Sequence, residues 1–444
     1  MRLIYKLGLC ILTRVCGTVY FTLCQHSQHG HQNTMSNNSI WSLPTPFTHN
    51  VCASAGALSF VGGAGDFDST GTLRNPGDMT RQITGTVENI AAALHQEHCS
   101  LADAVRVKAF YRPENNCDEI AIIQALQDAF PNEPSPVIST LPVPLQPFKG
   151  QEIQVQVIAV RNWRNSGDFQ VETQPLRVAS GNSSVGPVVT TALRAGEFIA
   201  VANRTAAHFN AAFDTALDGA GQSHIIMPSL QNSLSAVGAS LQDSVKMEGY
   251  YFGTTRKDWA PLAQARASYF SEPGPPATVV PCHALWPDKT ATKIEVLAMR
   301  ERRHSYDKYI PREDAWPDRV WDWPLSLPYR QAQRLRGMIW LGGQVPAEPF
   351  SNTGKRVLPG QLLPQTRFTM SYVDDLLRPF GRSPADLKLM VCYYTASAEE
   401  DVTPHLLQLL RDCCGGVLPP VTLVPVPHMQ TADSTVEIWG VAQG

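Results

Sequence analysis

The chain has 444 residues, enough for about three domains of roughly 150 residues each, and 43% of them are hydrophobic against 17% charged. That balance excludes wholesale disorder. With 36 Lys and Arg against 39 Asp and Glu, the formal net charge is -3, too near neutrality to select nucleic acid or an anionic membrane surface.

The first 24 residues begin with Arg2 and Lys6 and continue as an apolar run from Leu7 to Cys24, superficially like a secretory signal. Arg14 interrupts that run and no small-x-small cleavage site follows it. Residues 1–40 therefore read as a leader, an upstream extension before a start at Met35 in preference to a targeting segment. Its His26, His29 and His31 have no partner carboxylates, so no metal site is expected. The cysteines at 10, 16, 24, 52, 99, 117, 282, 392, 413 and 414 form no CxxC and no regular framework, the scatter of a reducing compartment. No other stretch approaches the roughly 18 apolar residues of a spanning helix, and a soluble, cytoplasmic protein without a membrane partner is expected.

Residues 41–165 carry a glycine-bearing hairpin stretch from Leu58 to Gly65, then Gln82 and a helical stripe at Val87, Ile90 and Leu94. Ser100 and Asp103 follow, and the period changes to two at Val105, Val107, Ala109 and Tyr111. A second helix is predicted over 118–130, and a closing strand places Ile153, Val155 and Val157 around Gln154 and Gln156. A Pro-, Ser- and Gly-rich linker is expected from Gln174 to Pro187.

Residues 181–303 repeat the series: Phe198 to Ala202; Gln222, Met227, Leu230 and Leu234; Ser240 and Asp243; Val245, Met247, Gly249 and Tyr251; a helix over 258–270; and Ile294 and Val296 around Glu295. A linker, 304–324 within the charged stretch from Glu301 to Pro324, holds Trp316, Trp321 and Trp323, which read as packed rather than free. Residues 325–444 give the third copy: Met338 to Gly343; Gln365, Met370, Val373 and Leu377; Ser383 and Asp386; Tyr394; a helix over 400–410; and Val436 and Ile438 around Glu437. Tyr111, Tyr251 and Tyr394 read as core aromatics. Three units of β-β-α-β-α-β-β outline, an α/β (α+β) class, are predicted.

The third copy carries a family likeness. Leu327-Pro328-Tyr329-Arg330-Gln331-Ala332 is similar to an LPYSQA opening, Gly342-Gly343-Gln344-Val345-Pro346 to an SGQIP turn, and Thr435-Val436-Glu437-Ile438 to a VEIE strand. These motifs resemble the Rid superfamily (YjgF/YER057c/UK114), and the likeness extends from about Thr48 to the C-terminus. The resemblance implies small α/β units closing as a trimer, here a single-chain pseudo-trimer expected to be monomeric, with ligand clefts between neighbouring units. It implies a small-molecule hydrolase or deaminase acting on an imine, enamine or related activated C–N bond, without a cofactor.

Imine-hydrolysing members hold the substrate carboxylate on an arginine in a P-A-R motif. The matching segments here read Pro134-Ser135-Pro136, Pro276-Ala277-Thr278 and Pro419-Pro420-Val421, with no Lys or Arg nearby in sequence. The family's water-holding acid is expected at Glu437 and Glu295, with Gln154 in its place in the first copy. Tyr329, Gly343 and Gln344 are the expected substrate contacts, with backbone N–H groups near Gly343 polarising the substrate. Arg330 is the candidate substitute for the lost guanidinium. In the first copy Gly63 matches Gly343, and in the second Asn203 does. Cys282 and His283 are sequence neighbours on opposite strand faces and cannot pair as nucleophile and base; His283 is kept as a cleft-lining candidate, with His428 at the comparable place. Gly62-Gly63-Ala64-Gly65 lacks the helix and GK[ST] of a phosphate cradle, and no HExxH or GxSxG is present. Two rival readings remain: a non-catalytic metabolite-binding or scaffold protein, and a chorismatase-like enzyme, whose dicarboxylate substrate would need converging arginines.

Overall fold

The computed structural model describes residues 41–113, 119–130, 132–177, 185–209, 217–300, 312–396 and 401–444. Residues 1–40, read above as a leader, with their histidines and Cys10, Cys16 and Cys24, lie outside the described residues, as does Cys117. The first unit runs β1 (Cys52–Ala55), β2 (Leu58–Ala64), α1 (Met79–Gln96), β3 (Ala104–Tyr111), α2 (Glu119–Ala129), β4 (Val137–Pro142) and β5 (Ile153–Val160), followed by the single turn α3 (Trp163–Ser166). The second has β6 (Phe169–Arg177), β7 (Val185–Ala195), β8 (Phe198–Arg204), a short α4 (Ala206–Phe209), α5 (Gly219–Ala236), β9 (Ser244–Phe252), α6 (Arg256–Ala267), β10 (Ala277–Cys282) and β11 (Thr292–Met299). The third has β12 (Glu313–Ala315), β13 (Ala332–Leu335), β14 (Met338–Leu341), α7 (Leu362–Leu377), β15 (Leu387–Thr395), α8 (Thr403–Cys413), β16 (Val421–Val426) and β17 (Val436–Gln443).

The three sheets share one strand order: β1-β2-β5-β3-β4, β7-β8-β11-β9-β10 with β6 added at its edge, and β13-β14-β17-β15-β16 with β12 added. In each, one parallel pair (β3–β4, β9–β10, β15–β16) is bridged by the second long helix. The segment from Gln174 to Pro187 is thus not simply a linker. Gln174 lies opposite Val189 and Pro175 opposite Val188 in the β6–β7 ladder. Pro175 is tolerated because β6 is an outermost strand, where a missing N–H removes little pairing.

The recurring polar residues have a local cause. Gln82, Gln222 and Gln365 are buried on the first long helix of each unit. Each amide donates to two backbone carbonyls, for example Asn75 and Gly150 at 2.8 Å, and each amide oxygen accepts an N–H near the start of the closing strand (Glu152, Ala291, Thr435). Ser100/Asp103, Ser240/Asp243 and Ser383/Asp386 form capping boxes on the turn before the central strand, with the Ser N–H 2.8 Å from the Asp carboxylate each time.

Helices cover one face of each sheet, where Ile83, Val87, Ile90 and Leu94 meet Ile153, Val155 and Val157 in the first unit. The opposite faces converge in a shared core containing Phe60, Phe198, Trp340, Val391 and Trp439, with Phe198 and Trp340 stacked at 6.4 Å. The polar face of the closing strands, which sequence alternation suggests is solvated, is therefore buried: Gln154, Gln156, Glu295 and Glu437 are all 3% exposed or less.

Docking is cyclic. The N–H of Asn203 donates to Ser139 Oγ of β4 at 2.9 Å, that of Gly343 to the Ala277 carbonyl of β10 at 2.8 Å, and a β-carbon at Gly62 would strike the backbone of Val421 in β16. Unit two thus seats on unit one, three on two, and one on three, the closed ring of a pseudo-trimer.

Candidate active site

Strand register fixes which residues correspond. Phe110, Tyr250 and Tyr393 lie opposite Gln154, Lys293 and Glu437 on the closing strands, and Lys108, Glu248 and Val391 lie opposite Gln156, Glu295 and Trp439. Glu295 is therefore one pleat away from the position of Glu437, and Lys293 is its true counterpart. The shared letters I-E misplace it, because strand alternation permits a slip of two without changing faces. Register likewise puts Ser139 and Thr422 in line with Thr278 of Pro276-Ala277-Thr278. A hydroxyl stands at the expected arginine position in all three units.

Two clefts are closed by protein. Between units one and two, the Asn203 amide exchanges hydrogen bonds with the Thr140 backbone at 3.2 and 2.7 Å. Beside it Lys293 pairs with Glu119 at 2.6 Å, and Glu119 also accepts from Tyr111 at 2.8 Å. Between units three and one, Gln154 donates to the Leu423 carbonyl at 2.5 Å, and Gln156 to Thr422 Oγ1 at 2.9 Å.

The cleft between units two and three differs. Glu437 lies against Gly343, where a β-carbon would occupy the space of the carboxylate and touch Thr278 Oγ1. Burial raises the Glu437 carboxyl to about 7, with Lys246 and the Val279 backbone opposing the rise. Lys246, on β9, donates to Thr278 Oγ1 at 2.6 Å and to the Leu341 carbonyl at 2.8 Å, and its ammonium sits 4.2 Å from the Trp439 ring centre. Burial lowers Lys246 to about 7, against the attraction of Glu248 and Glu437. Acid and amine are thus both poised for proton exchange near neutrality. Gln430 and Arg356 line a cavity of about 200 Å³, with Trp259, Trp321, Trp323 and Arg256 among its other walls; Glu437 and Lys246 are not on its lining. Gln430 donates to the Val279 carbonyl at 2.8 Å, and Arg356 is drawn electrostatically to Glu437 and Asp433.

The other expected contacts divide. Tyr329 is buried in this cleft. Arg330 is not the missing guanidinium; it faces outward and pairs with Glu272 at 3.1 Å and Asp314 at 3.2 Å. The N–H of Gly343 is spent on Ala277 and that of Gln344 on Ile438, so neither polarises a ligand. Gln344 bonds Gln331 and Trp321, and Trp321 is buried as expected. His283 is half-buried past the end of β10 with a lowered pKa from burial, and does not line the cavity.

Glu295 occupies a separate place near the meeting of all three sheets. Arg106 reaches Glu295 at 2.8 Å and Glu248 at 3.1 Å, Lys108 contacts both acids and the Tyr250 hydroxyl, and Tyr393 donates to Glu248 at 3.1 Å. Burial would raise Glu248, but Lys108 and Arg106 overcome it and hold it at about 2. Among the described residues, no group of three His, Cys, Asp or Glu is placed to hold a metal ion, and no helix is long and apolar enough to cross a membrane.

Residues 42–161 match the family model described as Endoribonuclease L-PSP. The first unit belongs to the Rid/YjgF/L-PSP family. Its sheet order recurs in the other two, making the chain three tandem Rid-like units. A chorismatase crystal structure is similar over 77% of this chain and 93% of its own, at 14% identity and TM-score 0.47. The Rid-family protein YyfA from Yersinia pestis matches 30% of this chain and 100% of its own, at 21% identity and TM-score 0.26. E. coli TdcF, solved with bound serine, matches 30% and 98%, at 22% identity and TM-score 0.25. No curated protein matches the chain significantly.

Lys246 is the site residue that sequence reading misses. It lies 32 residues before Thr278, on the neighbouring strand, and the parallel β9–β10 pairing brings the two together. Its signal is a Lys246–Glu248 pair alternating with Val245, Met247 and Gly249 in a period-two strand.

Proposed function

We propose that this Rid-like chain is a small-molecule hydrolase acting on an imine, enamine or related C–N bond, with its chemistry in the cleft between units two and three. The observation that carries this reading is the buried Glu437, held near neutrality beside Lys246 and above Gly343. Water adds to the C=N carbon while Glu437 takes one of its protons. That proton passes to the nitrogen, giving a carbinolamine; the carbinolamine hydroxyl then gives up its own proton, relayed through Glu437 to the nitrogen, as the C–N bond breaks and ammonia and a carbonyl product leave. Lys246 supplies positive charge where relatives would place the strand arginine, but as a compact ammonium without a bidentate fork.

Activity on 2-iminobutanoate is accordingly expected to be negligible beside an arginine-containing relative. Generating the imine enzymatically from threonine and following its absorbance checks this. Acceleration equal to the relative's would show that a cation other than the strand arginine anchors the carboxylate equally well.

The chorismatase-like reading is favoured by two cations, Lys246 and Arg356, that both act electrostatically on Glu437, and assay with chorismate separates the two. Turnover of chorismate without imine hydrolysis would replace the first reading with the second. Because each unit's docking edge is already occupied within the chain, the purified protein is expected to be a monomer of 48.7 kDa. Light scattering that returned an obligate trimer of chains would contradict the internal ring.

A further inference from the structure

Helix α6 buries a stripe of Trp259, Leu262, Ala263 and Arg266. The last is anomalous. Arg266 stands four residues before Phe270, as Leu126 stands before Phe130 in unit one and Leu410 before Cys414 in unit three; all are buried, and the two leucines are ordinary core. Arg266 has no exposed surface, and no carboxylate pairs with its guanidinium, which has only the Tyr329 hydroxyl within reach among the described residues. An unpaired buried guanidinium costs several kcal/mol or more in an apolar core.

Its surroundings depart from the other units in the same direction. Gly249 lies below it, where units one and three have Ala109 and Cys392, and a β-carbon there would sit 3.6 Å from the guanidinium carbon. The Tyr111 hydroxyl donates to Glu119 and that of Tyr394 meets Thr403, but the hydroxyl of Tyr251, their counterpart, has no partner. The hydroxyl of Tyr329, from unit three, lies against the guanidinium; burial lifts it to about 12, opposed by the charge of Arg266 and a side-chain hydrogen bond with it. Trp259 and Trp323, which wall the cavity, pack around this group with buried, unpartnered indole N–H donors.

We propose that Arg266, with the hydroxyls of Tyr251 and Tyr329, forms a binding site for the carboxylate of the substrate, delivered from a helix rather than from the strand. Five guanidinium donors in a fork and two hydroxyls match a planar carboxylate. This deepens the catalytic reading and rests on it for the placement of the reacting carbon beside Glu437.

Isothermal titration of the full chain with 2-oxobutanoate and with benzoate, and separately with sulfate, tests it. The expected result is carboxylate binding by the wild type and by Glu437→Gln alike, weakened about tenfold or more in Arg266→Met. Arg266→Met without ligand is expected to melt no lower than the wild type, since it removes an uncompensated charge. Tyr329→Phe should weaken binding while folding normally, and it carries the test if Arg266→Met does not fold. Unchanged affinity in the folded variants, preference for sulfate, or no carboxylate binding by the wild type would overturn the site. Binding that depends on Arg266 in a protein without turnover would instead overturn the hydrolase reading alone.

Discussion

Glu437→Gln is expected to lower turnover by about 10²-fold or more while leaving substrate affinity nearly intact, the scale of a positioned acid/base group. The amide keeps the shape against Gly343 but cannot take a proton. Activity of the wild type should climb as pH rises through about 7, where Glu437 becomes ionised, and this limb should vanish in the variant's residual activity. The same shift acts on folding. A carboxyl raised from 4.5 to about 7 in the folded state stabilises the protein below pH 4.5, and that contribution is lost as pH rises through 7. Denaturant unfolding should therefore show the wild type losing about 3 kcal/mol relative to Glu437→Gln across that window. Equal turnover in the two proteins would move the chemistry out of this cleft.

Glu295→Gln should act on the fold instead. It leaves Arg106 and Lys108 facing Glu248 alone in a buried cluster, and breaking such a network by removing one partner costs about 3–5 kcal/mol. Arg106→Met should cost a similar amount by leaving two carboxylates with one cation. Denaturant melts would register both losses, with turnover per folded molecule unchanged. A stability equal to wild type in Glu295→Gln would show the cluster to be electrostatically idle.

Much of this architecture was readable from the repeat of Gln, Ser, Asp and Tyr at fixed offsets, because each does a local job: clip, cap or core. The closing strands were harder. Alternation identified the face of Glu437 and Glu295 but not their register, since Lys293 and Glu295 lie on one face and only the pairing with Tyr250 and Glu248 distinguishes them. The arginine that fills a core position was invisible for the opposite reason. Arg266 follows the uncharged stretch Trp259 to Ala265 near the end of its helix, where an arginine is expected to reach solvent. Only comparison with Leu126 in three dimensions marks it as out of place. The hairpin at Gln174 was hidden by proline, which reads as a breaker unless the strand is known to be an edge.

The central charges also bear on which copies of these units could assemble with one another. At matching positions unit one presents Arg106 and Lys108, unit two Lys246 and Glu248, and unit three Leu389 and Val391. Three copies of unit one would gather six cations about the axis with no acid among these positions, and three copies of unit three would offer nothing to neutralise a charge. The cations of unit one are met by the acids of unit two, so these two inner faces complement each other within a single polypeptide. Unit one could not assemble with copies of itself without exchanging Arg106 and Lys108, whereas the apolar Leu389 and Val391 of unit three raise no such electrostatic barrier.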